Sequence, residues 1–359
     1  MKDFVSSHSQ TERMLHDMAF KSWFPRVSLS NIESQFYKNQ LAAVSVERPV
    51  FITALPRAGT TLILELCMST NEFASHAYSD MPFLMTPLLW NRFSKKFRNT
   101  GNLSERVHGD GILVNVDSPE SFEEIIWKEF WPSRYKKNRI AHWMNSCYPD
   151  FEAFFNDHMR KIILLRSNEE NQARYISKNN LNIARIEYLS SAFSDSTILI
   201  LFRSPLQHAA SLLKQHRNFL RIHNEDSFAK KYMEDTGHFD FGENLRPVDF
   251  NGWLSENPEF DTNTITFWLQ YWINAYGYLM RNKNDRVRFF SYDSLCKDPQ
   301  SGLERLGRIL KVKNIGLLEE NIKRITTPKP HIVDLNEIAP NILKQAEDIY
   351  FHLKNINGF

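Results

Sequence analysis

Short apolar segments rich in β-branched and aromatic residues recur along the chain, and stretches with helical spacing of apolar positions follow them. Strands alternating with helices in this way are typical of a parallel sheet that helices cover on both faces. The sequence therefore predicts an α/β fold of three layers (α/β/α) around a central parallel sheet. The predicted strands are Val50–Ala54, Arg174–Ser177, Thr197–Phe202 and Val287–Tyr292.

Two long regions do not fit this alternation. Residues from about 90 to 150 are rich in Trp, Phe and Lys, and residues from about 218 to 263 are polar with frequent Gly, Pro and Asn. We interpret both as insertions over the carboxyl edge of the sheet that form a binding cleft; the alternative is surface decoration. We expect an N-terminal helical segment over residues 1–45 and a single α/β domain over residues 46–359.

The first predicted strand leads into a segment that suits an anion. From Arg48 the chain reads Arg-Pro-Val-Phe-Ile-Thr-Ala-Leu-Pro-Arg-Ala-Gly-Thr-Thr-Leu, which predicts a strand, a tight turn and the start of a helix. Backbone N–H groups and the positive end of the helix dipole would then surround one phosphate. The alternative is an ordinary connection between a strand and a helix.

This turn differs from the nucleoside-triphosphatase loop G-x-x-x-x-G-K-[ST], a P-loop, in a way that bears on chemistry. Thr60 stands where that loop has its lysine, and Ala54 stands where it has its first glycine. The missing lysine argues against phosphoryl transfer from ATP. The cation is instead Arg57, inside the turn, where it could hold the terminal anionic group of a nucleotide with a shorter phosphate chain.

A second pair of anion-binding residues follows the predicted strand Thr197–Phe202. Arg203 stands at its end, and Ser211 lies eight residues further, on a predicted helix. A guanidinium and a hydroxyl two helical turns apart can bind one phosphate together. Alone this pair is weak evidence, but together with the turn around Arg57 it is strong.

The two motifs resemble those of sulfotransferases that use 3′-phosphoadenosine 5′-phosphosulfate (PAPS), in the bacterial branch related to tyrosylprotein and carbohydrate sulfotransferases. In that family a P-R-[SA]-G-T-T turn holds the 5′-phosphosulfate, and an Arg and a Ser eight residues apart hold the 3′-phosphate. The turn is matched by Pro56, Arg57, Ala58, Gly59, Thr60 and Thr61, and the pair by Arg203 and Ser211.

The resemblance extends in outline from Pro49 to Leu310. A late strand beginning at Val287, followed by Asp298-Pro and a helix, is similar to the family pattern. Ala58 departs from the serine often found after the turn arginine, so one hydroxyl contact is missing. Backbone N–H groups supply most contacts in such a turn, so the assignment stands.

The resemblance implies in-line transfer of a sulfuryl group from PAPS to a hydroxyl acceptor, which needs cations for the leaving oxygen and a base for the acceptor proton. Arg57 and Lys178 are the predicted cations. Lys178 ends a predicted strand, as a lysine does in similar enzymes, although Asn180 replaces the proline that follows it there. The alternative for Lys178 is an exposed lysine at a strand end.

Related enzymes take their base, a Glu or a His, from the segment after the second strand. Asp80, 23 residues beyond Arg57, is the first choice here, and His76 is the second. Asp80 could equally be a turn residue ahead of Met81-Pro82. His208 is expected to pack or to contact nucleotide rather than to act as the base.

Composition excludes several partners. Lys and Arg number 44 against 42 Asp and Glu, a net charge of +2. This overall positive charge is too small to attract nucleic acid or an anionic membrane. No apolar run is long enough to span a membrane. The 3 cysteines are far apart, which disfavours a zinc site or a disulfide framework and favours a cytoplasmic compartment. No motif has metal-ligand spacing, and we expect no metal.

The acceptor is predicted only as a hydroxyl compound. Aromatic residues in the insertions (Trp127, Trp131, Trp143) suit stacking on a sugar ring, so a carbohydrate is favoured, with a phenol or a lipid left open. Two rival functions remain. A nucleoside or small-molecule kinase is disfavoured by Thr60 and by the lack of a clear Walker B aspartate, and a non-catalytic nucleotide-binding protein would keep the fold without the chemistry.

Overall fold

The computed structural model describes residues 10–21, 24–94, 104–105, 113–114, 118–119, 122–143, 147–167, 172–257 and 259–356. The strands of this part of the chain are β1 (Val50–Thr53), β2 (Phe73–Ala74), β3 (Ser104–Glu105), β4 (Leu113–Val114), β5 (Ile140–Ala141), β6 (Arg174–Lys178), β7 (Thr197–Phe202), β8 (Val248–Asp249) and β9 (Val287–Ser291).

The helices of the same part are α1 (Gln10–Ala19), α2 (Arg26–Phe36), α3 (Lys38–Ala42), α4 (Thr60–Met68), α5 (Pro87–Ser94), α6 (Glu124–Phe130), α7 (Pro149–Arg166), α8 (Ile186–Ala192), α9 (Pro205–Glu225), α10 (Ser227–Thr236), α11 (Ile265–Arg281), α12 (Tyr292–Lys297), α13 (Pro299–Leu310), α14 (Gly316–Glu319) and α15 (Pro340–Asn355). Short 3₁₀ turns include Tyr78–Asp80, Asn180–Arg185 and Gly242–Asn244.

The central sheet has five strands in the order β2-β6-β1-β7-β9, and every neighbouring pair is parallel. In the register, Ile52 of β1 lies between Lys178 of β6 and Leu199 of β7. The predicted α/β fold with a parallel central sheet is confirmed. Each predicted strand begins at the expected residue and ends within one residue of the expected position. All carboxyl ends meet at one edge, with β1 in the middle.

The sheet is covered on both faces because alternate side chains of each strand enter two separate apolar clusters. On one face, Phe51 and Ile200 pack with helices α7, α8, α9 and α11. On the other, Ile52 and Leu201 pack with α4, α12 and α13. The near-continuous apolar sequence of β7 follows from this two-sided burial.

Helix α11 contains the aromatic stretch around residues 267–280 and is largely buried. Trp268 and Trp272 are fully buried along it, and the hydroxyl of Thr264 accepts a hydrogen bond from the Phe267 N–H at its start (3.4 Å). Within the described ranges, no helix is both long enough and apolar enough to cross a bilayer.

The described parts of the two interpreted insertions contain regular elements and buried side chains. Trp127 and Trp143 in the first are buried in the main apolar cluster, with ring centroids 6.5 Å apart. The second begins as a continuation of α9, forms α10, and then runs as a loop through residues 237–249. Helices α1, α2 and α3 lie within the expected N-terminal helical segment, and the domain bounds stay a prediction.

Candidate nucleotide-binding and catalytic site

The turn between β1 and α4 has a backbone that only particular residues allow. Arg57 and Gly59 both lie in the left-handed region, with φ of 68° and 89°. A Cβ atom on Gly59 would also lie 2.3 Å from two ring carbons of Tyr292. The glycine is therefore required both by its dihedral angle and by the aromatic ring packed on it.

Helix α4 presents its amino terminus to the space above this turn. Its first internal hydrogen bond runs from the Ile63 N–H to the Gly59 carbonyl (3.2 Å), so the N–H groups of residues 60–62 precede it. Such N–H groups, with the positive end of the helix dipole, attract an anion. The geometry is the one expected for the first motif.

The residues after β7 hold the turn in place. The buried His208 ring donates through Nε2 to the Pro56 carbonyl (2.7 Å), because that carbonyl can only accept. Burial, together with the charges of Arg203 and Arg57, lowers the pKa of His208 to about 3, so its ring is neutral. Arg203 donates through Nη1 to the Arg57 carbonyl (3.0 Å). The two sequence motifs are thus in direct contact.

Arg203 also has hydrogen-bonding capacity to spare. Its side chain is only 8% exposed, its guanidinium lies 5.9 Å from the centre of the Tyr292 ring, and its Nε finds no hydrogen-bond partner within the described part of the chain. An unpaired buried donor is costly, so such a group is expected to meet a ligand. Ser211 lies three residues beyond His208 on α9, on the same helical face.

A segment near the carboxyl end of the chain docks beside this arginine. Gln207 of α9 donates to the His331 carbonyl (3.1 Å) and accepts from the His331 N–H (2.7 Å). Burial and then the charges of Lys214, Arg203 and Arg57 lower the pKa of His331. Residues 326–330 just before it are exposed, but this backbone contact fixes the segment next to a cationic region.

The end of β6 contributes a hydrogen-bonded chain on the opposite side of the turn. The Thr60 hydroxyl donates to Asn180 Oδ1 (3.4 Å), and Asn180 Nδ2 donates to Asp240 Oδ2 (3.2 Å). The Thr53 hydroxyl donates to the Asn180 carbonyl (3.1 Å), which holds the residue against β1. Lys178, buried at the same strand end, contributes a positive charge to this group.

Asp240 ends this hydrogen-bonded chain, and sequence reasoning missed it. Burial raises its pKa to about 6, while the Asn180 amide and the Lys178 charge oppose that rise and Glu124 adds to it. No motif marks this residue in the polar second insertion. Only its contact with Asn180 identifies it.

The loop that carries Asp240 is anchored to α9 by two histidines. His216 Nδ1 accepts from the Gly242 N–H, and His223 Nδ1 accepts from the Glu243 N–H, each at 3.1 Å. A nitrogen that accepts a hydrogen bond carries no proton, so both rings are neutral here. Burial chiefly lowers the pKa of His216 to about 4, which is consistent with that state.

The two predicted bases lie in different surroundings. Asp80 is 0% exposed, and its oxygens accept from Arg166 Nη2 at 2.6 and 2.8 Å and from the Ala77 N–H at 2.9 Å. His76 is 1% exposed and stacks on His158, with ring centroids 5.0 Å apart, and burial lowers its pKa to about 3. These contacts are those of a structural ion pair and of a packed neutral imidazole, and their catalytic role stays a prediction.

The three cysteines, Cys67, Cys147 and Cys296, are free. Across the described ranges, no group of three or more His, Cys, Asp or Glu side chains is arranged to hold a metal ion.

A family model described as "Sulfotransferase family" matches residues 49–239, which is more than half of the chain. The chain belongs to the sulfotransferase family. The matched region contains the Arg57 turn, Lys178, Arg203 and Ser211. The family and the class of enzyme predicted from the two motifs are therefore confirmed. No curated protein matches this chain.

Solved structures of sulfotransferases are similar in fold. STF9 from Mycobacterium avium has 14% identity and a TM-score of 0.54, over 94% of this chain and 83% of that chain. STF1 from Mycobacterium tuberculosis H37Rv has 13% identity and a TM-score of 0.48, over 94% and 85%. Retinol dehydratase in a complex with retinol and PAP has 13% identity and a TM-score of 0.30, over 89% and 86%. The similarity to STF9 supports the fold.

Proposed function

We propose that this sulfotransferase takes its sulfuryl group from PAPS and passes it to a hydroxyl acceptor by in-line transfer. The supporting observation is the pairing of two anion-binding features at one edge of the sheet. The first is the turn around Arg57 with the amino terminus of α4, and the second is Arg203 with its unpartnered Nε. PAPS carries a 5′-phosphosulfate and a separate 3′-phosphate, so it matches two such features better than ATP does.

Different residues would bind different groups of PAPS. Arg57 and the N–H groups of Gly59, Thr60 and Thr61 would hold the 5′-phosphate, and Arg203 with Ser211 would hold the 3′-phosphate. Lys178 would add positive charge where the bridging oxygen leaves, which stabilises the transition state more than the ground state. PAPS supplies the activated sulfuryl group.

The acceptor class is a separate proposal. We keep a carbohydrate hydroxyl as the first class to test and a phenol or a lipid alcohol as alternatives. Trp127 and Trp143 are buried and unavailable for stacking on a sugar, whereas Trp131 is partly exposed, so the carbohydrate proposal now rests on Trp131 and on the resemblance to carbohydrate sulfotransferases. A cytoplasmic location likewise stays a proposal, supported by the number and spacing of the cysteines.

Donor binding is tested by thermal unfolding with 3′-phosphoadenosine 5′-phosphate (PAP), with ADP and with ATP. A ligand at 100 times its dissociation constant stabilises the folded state by about 2.7 kcal/mol, which a melting curve resolves. We expect stabilisation by PAP alone, lost in Arg203→Ala and kept in Arg308→Ala, an exposed arginine on α13. Equal stabilisation by ATP would contradict the proposal and favour a kinase.

Transfer itself is tested with radiolabelled PAPS and a panel of an alkyl glucoside, 2-naphthol and a long-chain alcohol. We expect label to enter at least one hydroxyl compound, and its class identifies the acceptor class. Binding of PAP without label transfer to any compound, and without release of sulfate to water, would favour the non-catalytic nucleotide-binding alternative.

A further inference from the structure

We propose that Asp240 is the base that takes the proton from the acceptor hydroxyl. The inference rests on the proposed function, and it replaces Asp80 and His76 in that role. It is carried by the hydrogen-bonded chain from Thr60 through Asn180 to Asp240, which joins the amino terminus of α4 to a carboxylate of the second insertion.

The position of Asp240 suits this role in three respects. It belongs to the loop after α10, in the insertion interpreted as part of the acceptor cleft. One oxygen, Oδ2, accepts from Asn180, and the other accepts no hydrogen bond from the described residues. The residue is partly exposed rather than fully buried. Asp80, by contrast, is fully buried with both oxygens bound to Arg166.

The charges around Asp240 come from three other elements. Lys178 at the end of β6 favours the carboxylate, and Glu124 of α6 disfavours it. Tyr271 of α11 also faces it, and the Asp240 charge helps to raise the pKa of that phenol. Lys128 and Arg246 lie over the ring of the preceding residue, Phe239, at 5.2 and 4.3 Å. With burial included, the carboxyl is ionised at neutral pH and still basic enough to accept a proton.

The step balances as follows. The acceptor oxygen forms a bond to sulfur while the bond from sulfur to the bridging oxygen of the 5′-phosphosulfate breaks. The electron pair of the broken bond stays on the phosphate oxygen, and PAP leaves. The acceptor proton passes to the free oxygen of Asp240 and is then released to water.

Asp240→Asn is the decisive variant, because the amide keeps the shape and accepts a hydrogen bond but cannot take the proton. We expect kcat/KM to fall by about 100-fold to 10,000-fold with any acceptor that the panel identifies, while the PAP dissociation constant changes by less than about threefold. Asp285→Asn, an exposed carboxylate before β9, is the matched control and should change neither. Turnover above about one tenth of the parent value in Asp240→Asn would overturn the proposal.

The pH profile adds a measurement that a purely structural role would not move. Activity of the parent should rise as pH increases through about 6, since the base must lose its proton, and this limb should be absent from Asp240→Asn. Asn180→Leu removes the amide that favours the carboxylate, so the limb should shift to higher pH. A limb that is unchanged in both variants would contradict the assignment.

A third measurement needs no acceptor. PAP brings negative charge to the turn beside Thr60, which should raise the pKa of Asp240 and make binding near pH 6 take up protons. Calorimetry of PAP binding in two buffers of different ionisation enthalpy measures that uptake, and it should be smaller in Asp240→Asn than in the parent. If the parent fails to bind PAP, the proposed function fails; if both proteins bind PAP with equal proton uptake, only the role of Asp240 fails.

Discussion

The proposed donor side and the proposed acceptor side of the site are built differently. On the donor side, the three proposed cations lie at or soon after strand ends of one parallel sheet: Arg57 in the turn after β1, Lys178 at the end of β6 and Arg203 after β7. On the acceptor side, Asp240 belongs to a long insertion and meets Asn180 across 60 residues of sequence. The match to the sulfotransferase family model ends at residue 239, one residue before this carboxylate.

This difference explains why short sequence motifs identify residues of the proposed donor side and not Asp240. A parallel sheet places the residues after its strands at one edge whatever the loops do, so a few local residues suffice for a donor that all such enzymes share. Loops that face a variable acceptor are placed by contacts such as those of His216 and His223 with the loop backbone. We therefore expect donor-side and acceptor-side variants to separate binding from turnover.

The largest expected effect is a loss of PAP affinity when the turn of the donor side is distorted. Gly59→Ala forces a left-handed residue to carry a Cβ that meets the Tyr292 ring at 2.3 Å, so the turn must change shape. We expect PAP to bind roughly a thousandfold more weakly, about 4 kcal/mol, by calorimetry. Gly252→Ala is the control, because φ there is 83° but a Cβ meets nothing within 4 Å. Unchanged PAP affinity in Gly59→Ala would remove this turn from the donor site.

The next effect separates the two carboxylates. Asp80→Asn removes one partner of a buried ion pair and leaves Arg166 uncompensated, so we expect a loss of about 3 kcal/mol in the free energy of unfolding. Turnover per folded molecule should stay within a few fold of the parent. Chemical denaturation and activity, measured on the same samples below the melting temperature, check both. Full stability with lost turnover would restore Asp80 as the base.

The smallest expected effect is on PAP affinity, and it tests whether the segment at His331 belongs to the donor side. Gln207→Ala removes both hydrogen bonds that hold the His331 backbone beside Arg203, and we expect about 1 kcal/mol, or roughly fivefold, in PAP affinity. Titration calorimetry measures it, with the exposed Gln35→Ala on α2 as the control. An unchanged affinity would mean that this segment lies outside the donor site.

Local sequence was sufficient for the sheet, the turn and the arginine after β7. Strand patterning here depends on burial of both faces of the sheet, which makes each strand a short apolar run, and a glycine in a turn depends on its own dihedral angles, so neither needs distant residues to be known. The spacing from Arg203 to Ser211 is also local, because Arg203 lies two residues before α9 begins and Ser211 falls within the first two turns of that helix.

Only the folded chain decided what the remaining residues do. Asp80 and Asp240 are both single carboxylates near turn residues, and what separates them is Arg166, 86 residues from the first, and Asn180, 60 residues from the second. Trp127 and Trp143 of the first insertion pack inside the core rather than line a cleft. The basicity of a carboxyl and the exposure of a ring depend on the solvent and charges around them, and those are set by long-range packing.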